Sequence, residues 1–248
     1  MLGEIALETE GSGNSAAMKA WLPALCAAAI ATSPAMAAER NYSVTSFDRI
    51  RVDGPYRVTL NTGVPPFAIA KGADNAIDRV SVAVQGRTLI VRQNPGAWGG
   101  YPGQAPGPVE IEVGTHDLSQ AWLNGSGALA IDRVRGLSFE LAVQGSGSVT
   151  LGDADIDQMK IGINGSGTVK LAGKAPQLTA IVRGASTLDA SGLTTKDALV
   201  GAEGSSDVRF VATATAKVDA RGTTSIAVGG KPACTVNAEG SAVVTGCN

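Results

Sequence analysis

The side chains able to do chemistry are few and widely spaced. His116 is the only histidine in the 248-residue chain, so neither a histidine-pair metal site nor a two-imidazole proton shuttle can be built. It stands beside Asp117, where a turn residue is expected. Serine is plentiful in Gly-Ser-Gly runs at Ser126, Ser146 and Ser166. That spacing is not the Gly-x-Ser-x-Gly elbow that exposes a nucleophile, and its repetition argues for geometry. Asp153, Asp155 and Asp157 alternate like the first half of a calcium loop. Such a loop also needs a glycine and a later bidentate glutamate, whereas Gln158 and Met159 follow here, so a solvated bend is expected and no metal. No cofactor is expected either.

Two other groups remain. Asp189, Asp207 and Arg209 are the best candidate cluster, because carboxylates grouped with a cation are what a carbohydrate-cleaving site would assemble. An ion pair on a solvated surface is the competing reading. Trp98 and Tyr101 lie in residues 94–108, a run too rich in proline and glycine to form helix or regular strand. On an exposed loop these aromatics are placed to stack on sugar rings or enter a partner surface. Folding back over the first coil is the structural alternative.

The elements that would carry these residues follow from a repeat. Glycines at 125, 145, 165, 184, 204, 222 and 240 recur in steps of 20, 20, 19, 20, 18 and 18. Four residues after each stand Leu129, Val149, Val169, Leu188, Val208, Ile226 and Val244. Two before each stand Leu123, Val143, Ile163, Val182, Ala202, Ala220 and Ala238. The residue immediately before is always polar: Asn124, Gln144, Asn164, Arg183, Glu203, Arg221 and Glu239. Even offsets point in and odd offsets point out, the period-two signature of strands. Repeats of this size make stacked arrays. The expectation is an all-β fold, a β-helix of about seven coils of 18–20 residues over 117–248. Residues 38–116 form an N-terminal strand-rich cap, with 94–108 as its loop. A meander of antiparallel hairpins is the structural rival, but it would reverse side-chain order in alternate strands. Small residues at offsets zero and two are expected on the inner side of a bend, and any function is expected on the polar ladder beside them.

The ends set the compartment. Met18-Lys19, an apolar run from Trp21 to Ala31 and the small-x-small site Ala35-Met36-Ala37 read as a signal peptide cleaved after Ala37. Glu4, Glu8 and Glu10 precede it without a basic residue, so Met18 is the expected start. Leu25 before Cys26 argues against lipidation, and no later stretch is long and apolar enough to be an integral membrane segment. Beyond residue 37 the chain keeps 19 of its 20 basic and 19 of its 22 acidic residues. A neutral chain has no electrostatic footprint for nucleic acid. Cys234 and Cys247 are then the only cysteines, an even pair expected to form a disulfide across the last coil.

Three stretches carry a resemblance: Phe47-Asp48-Arg49-Ile50-Arg51-Val52-Asp53-Gly54-Pro55-Tyr56, the strand Leu89-Ile90-Val91, and the reiterated Asn/Gln-Gly-Ser-Gly turns. Across about residues 44–246 the chain resembles the auto-transporter adhesin head domain family, also called the GIN domain. The resemblance implies a right-handed β-helix and an exported, envelope-associated protein, periplasmic or at the cell surface. It transfers no catalytic motif, and no membrane barrel is expected after the repeats. A single domain over 38–248 is expected, non-enzymatic, binding or scaffolding through its outer faces and the 94–108 loop. Glycans or cell-surface proteins are the expected partners. The alternatives are a carbohydrate-active enzyme using Asp189, Asp207 and Arg209, or a purely structural envelope component.

Overall fold

Branched aliphatics on every second residue drive extended backbone, because only a strand sends them all to one side. In the computed structural model, which describes residues 38–96 and 107–247, strands account for 74% and helix for 2%. The signal sequence expected over residues 1–37 lies outside the described residues. Before the repeats come β1 (Ala38–Tyr42), β2 (Arg49–Asp53), β3 (Arg57–Thr62), β4 (Phe67–Gly72), helix α1 (Asp74–Ile77), β5 (Val80–Gln85), β6 (Thr88–Gln93) and β7 (Glu110–Thr115). The coils run through β8 (Gln120–Gly125), β9 (Ala128–Gly145), β10 (Ser148–Gly165), β11 (Thr168–Lys174) and β12 (Gln177–Gly184). They continue through β13 (Thr187–Gly204), β14 (Asp207–Gly222), β15 (Ser225–Gly229), β16 (Ala233–Gly240) and β17 (Val243–Thr245).

All pairings between successive coils are parallel, and the register follows the repeat. Ser148 lies on Ala128, Gln158 on Ser138 and Gly165 on Gly145. The hairpin meander is thereby excluded and the chain is a β-solenoid. It has about six turns rather than seven. From Gly125 onward, seven corner glycines bracket only six corner-to-corner circuits, and after Gly240 the chain adds only the short β17.

Like residues stack into interior columns, such as Phe139, Met159, Leu178, Ala198, Ala216 and Cys234. Where this column shrinks to alanine, the fully buried ring of Phe210 enters the same coil as Ala216. Burying such a ring contributes about 2–3 kcal/mol.

Two features of the ends differ from expectation. The N-terminal part is more than a cap, because β2 and β3 stack on β8 and β9 with Asp53 opposite Asn124 and Val58 opposite Leu129. Gly54, at φ +125°, therefore occupies the same corner as Gly125. A long insertion follows it. There β4 runs antiparallel to β1 and β7, and the β5–β6 hairpin returns β6 to pair parallel with β2. At the other end Cys234 and Cys247 are joined, with Cα atoms 5.6 Å apart. Interior-side residues are nevertheless uncovered there, Val236 being 41% exposed.

The corners also differ in detail from an inner bend. The offset-zero glycine sits outside, at φ +108° in both Gly145 and Gly204, a left-handed conformation that L side chains avoid. A Cβ there would stand 2.7 Å from the Gly125 carbonyl oxygen and 2.6 Å from that of Gly184. It is the offset-two residue that points in. In later coils this is a hydroxyl, and Ser186 and Ser206 donate to the carbonyls of Gly165 and Gly184 at 2.9 and 3.0 Å.

Candidate functional site

One sheet of the solenoid carries three neighbouring depressions. It runs β6, β2, β8, the last third of β9 and of β10, β12, then the final thirds of β13 and β14, and β16. Its outward residues form three parallel ladders. The ladder next to the corner is Asn124, Gln144, Asn164, Arg183, Glu203, Arg221, the polar row expected from sequence. The opposite ladder includes Gln120, Glu140, Lys160, Thr179 and Leu199. Between them runs Trp122, Ala142, Gly162, Ile181, Gly201. The short residues Ala142, Gly162 and Gly201, flanked by longer side chains, make a trough that Trp122 and Ile181 interrupt.

Three depressions share residues along it. One of about 450 Å³ is lined by Arg51, Ile90, Trp122, Asn124 and Gln144. The next, about 380 Å³, takes in Gln144, Ala142, Gly162, Ile181 and Arg183. The third, about 190 Å³, adds Gly201, Asp219 and Arg221 to Ile181 and Arg183. Gln144 joins the first to the second, and Ile181 and Arg183 join the second to the third. The three depressions adjoin, with Gln144, Ile181 and Arg183 as their shared walls.

Ion pairs close both ends of the apolar floor. At one end Arg51 Nε is 2.9 Å from Asp53 Oδ1, which also accepts from Asn124 Nδ2 at 2.6 Å. At the other, Arg221 lies 3.5 Å from Asp219 and 3.3 Å from Glu239. Arg183 and Glu203 approach to 3.7 Å on the rim. Exposed pairs like these contribute little to stability, but they leave few charges free to meet a ligand. Ile181 and Leu199 are 45% and 46% exposed, so apolar surface is on offer.

The residues singled out from sequence fall elsewhere. Trp98 and Tyr101 lie outside the described residues. Asp189, Asp207 and Arg209 do come together, on the strands that follow the corner: Asp189 pairs laterally with Arg209, whose Nη2 donates to Asp207 Oδ2 at 3.0 Å. Asp189 Oδ1 accepts from Ser191 Oγ at 2.6 Å and from Ser191 N–H at 3.2 Å. The Ser191 hydroxyl, then its backbone N–H, then Arg209 and Lys170 hold the Asp189 carboxyl below the usual carboxylate range. A carboxylate stabilised in its charged form is a poor general acid. Asp153, Asp155 and Asp157 are all exposed, outside the buried Ala154 and Ile156, and His116 is exposed at a turn.

Trp122 and the floor glycines were not anticipated. Their signal was present, since three residues before the first five corner glycines the sequence reads Trp, Ala, Gly, Ile, Gly, and before the last two Asp and Asn. Only stacking shows that this outward column is a floor.

A parallel β-solenoid with an open outer trough is the class of protein these features define. The chain belongs to the family described as "Putative auto-transporter adhesin, head GIN domain", which matches residues 46–232. Among solved structures it is similar to a putative adhesin from Bacteroides fragilis, with TM-score 0.71, 19% identity, and 85% of this chain and 96% of that one covered. A putative adhesin from Parabacteroides merdae gives TM-score 0.66 at 16% identity, covering 85% and 95%. A putative lipid binding protein from Parabacteroides distasonis gives 0.64 at 17%, covering 85% and 96%. At these identities the likeness is one of fold. No curated protein matches the chain.

Proposed function

We propose that this is an exported, adhesin-like binding protein of the cell envelope or surface, non-enzymatic, which engages an extended partner through the trough. The single observation that carries the reading is the row of three adjoining depressions from Trp122 to Gly201 on one sheet. The interior is filled by side chains such as Phe139, Leu141 and Phe210, so a ligand has to be met outside. A shallow, elongated site lined by apolar floor and amide rim suits a chain lying along the surface better than a small substrate held for reaction. The family name points the same way, and export agrees with the leader expected from the sequence and with the cysteine pair.

Fluorescently labelled protein titrated onto intact cells tests this. Saturable attachment, competed by unlabelled protein, is expected. Gly162→Val, which fills the trough, should abolish attachment, and Asp189→Asn on the other face should leave it unchanged. Release of reducing ends from bacterial polysaccharides, lost in Asp189→Asn and Asp207→Asn, would establish the enzyme instead.

A further inference from the structure

Gly162 and Gly201 are not required by the fold. Both lie in strands outside the left-handed region, and a Cβ added to either would meet nothing within 4 Å. Glycine inside a strand weakens it, through chain entropy and lost packing, and often marks a place where a ligand approaches the backbone closely. Here neither backbone conformation nor crowding calls for glycine, and the backbone at both positions lies open to a ligand.

The polar groups still free along the trough show what approaches. Arg51, Arg183 and Arg221 are each paired with a carboxylate of the same face. Lys160 stands beside Glu140 on the adjoining rung. The Trp122 indole N–H and the amides of Gln144 and Asn164 make no hydrogen bond among the described residues. What remains on offer therefore carries no net charge: Lys160 and Glu140 side by side without a direct ion pair, one aromatic face, two donor–acceptor amides, and bare backbone. Successive rungs are about 4.8 Å apart, close to the advance per residue of an extended pyranose chain. A polyanion would want a row of unpaired cations instead.

We infer that the trough binds an extended chain of uncharged pyranose sugars running from rung to rung. One ring stacks on Trp122, hydroxyls bond to Gln144 and Asn164, and the chain lies against the backbone at Gly162 and Gly201. The inference rests on the outer-face binding reading above and names its ligand class.

The test uses the Trp98→Phe protein, in which Trp122 is the sole tryptophan beyond residue 37. Its emission is followed while cello-, xylo- and manno-oligosaccharides of increasing length are added, with heparin and hyaluronan as charged comparators. At least one neutral series is expected to give a saturable change insensitive to salt. Affinity should rise with length to about five sugars, because Trp122 to Gly201 covers four rung steps of about 4.8 Å. By calorimetry, Trp122→Ala should weaken binding by about tenfold or more, with partial rescue by Trp122→Phe. Gly162→Val should abolish binding while unfolding no earlier on heating. Salt-dependent binding of heparin or hyaluronan without any neutral chain would overturn the inference. So would cell attachment that is lost in Gly162→Val but is removed by protease treatment of the cells and ignores every neutral chain, a result that leaves the outer-face reading standing. Attachment indifferent to Gly162→Val would sink the outer-face reading itself.

Discussion

Gly145 and Gly162 belong to neighbouring coils of one solenoid and do opposite work. Gly145 turns the chain at φ +108°, with the Gly125 carbonyl oxygen 2.7 Å from where its Cβ would be. Gly162 sits in a strand with open space above it. The first is glycine because nothing else fits the backbone. The second lacks a side chain where one would be tolerated, and the fold gains nothing from the lack. Repetition marks the first kind, since a corner must be made in every coil. The second kind is irregular: Ala142, Gly162 and Gly201 are small, whereas Trp122 and Ile181 in the same ladder are large. Where glycine is architectural the pattern is strict, and where the column varies it shapes a surface.

Substitution should separate the two. The largest effect is expected for Gly145→Ala, which forces an L residue into a left-handed corner against a carbonyl. It should cost about 3 kcal/mol in urea unfolding, and a neutral result would break the comparison. Removing the disulfide with Cys234→Ser comes next, at about 2–3 kcal/mol for a 13-residue closure. Hydrogen exchange should place that loss in β16 and β17, whose interior side is already exposed, and leave β9 and β10 protected. Gly162→Val is expected to move stability by less than about 1 kcal/mol and in the favourable direction, since a β-branched residue suits a strand. Differential scanning calorimetry checks this, and a marked loss would make Gly162 architectural after all.

The smallest effect concerns the face away from the trough. The Asp189 carboxyl is held below its ordinary value chiefly by the Ser191 hydroxyl. A depressed carboxylate adds stability that is present above its unfolded-state value and lost as pH falls through the folded one. Ser191→Ala should move Asp189 back up toward the usual carboxylate range in an NMR titration. The acid limb of the stability profile should then begin to fall at higher pH. No change in the Asp189 titration would mean that Arg209 and Lys170, rather than Ser191, set its charge.

Much of this architecture was legible before folding. The period, the inward parity at Leu129 and Leu123, the corner at each glycine and the Cys234–Cys247 pair all follow from residues close together in sequence. The polar ladder from Asn124 to Glu239 was legible as an outer surface too. The equivalence of Gly54 and Gly125 was not, because the insertion carrying β4 to β7 separates them. The trough was not either. Reading outward or inward needs only the strand period, but a groove needs to know which side chains stand on either side, and those are a whole coil away.

By itself the sequence determined a strand-built column with glycine corners, an apolar interior of small aliphatics and a polar outside. Those properties are local, set by alternation of side chains along extended backbone and by what φ a residue tolerates. Tertiary structure alone decided that Trp122, Gly162 and Gly201 form the floor between Glu140 and Lys160 on one side and Gln144 and Asn164 on the other. The reason is lateral stacking at about 4.8 Å, which turns residues 18–20 apart in sequence into immediate neighbours.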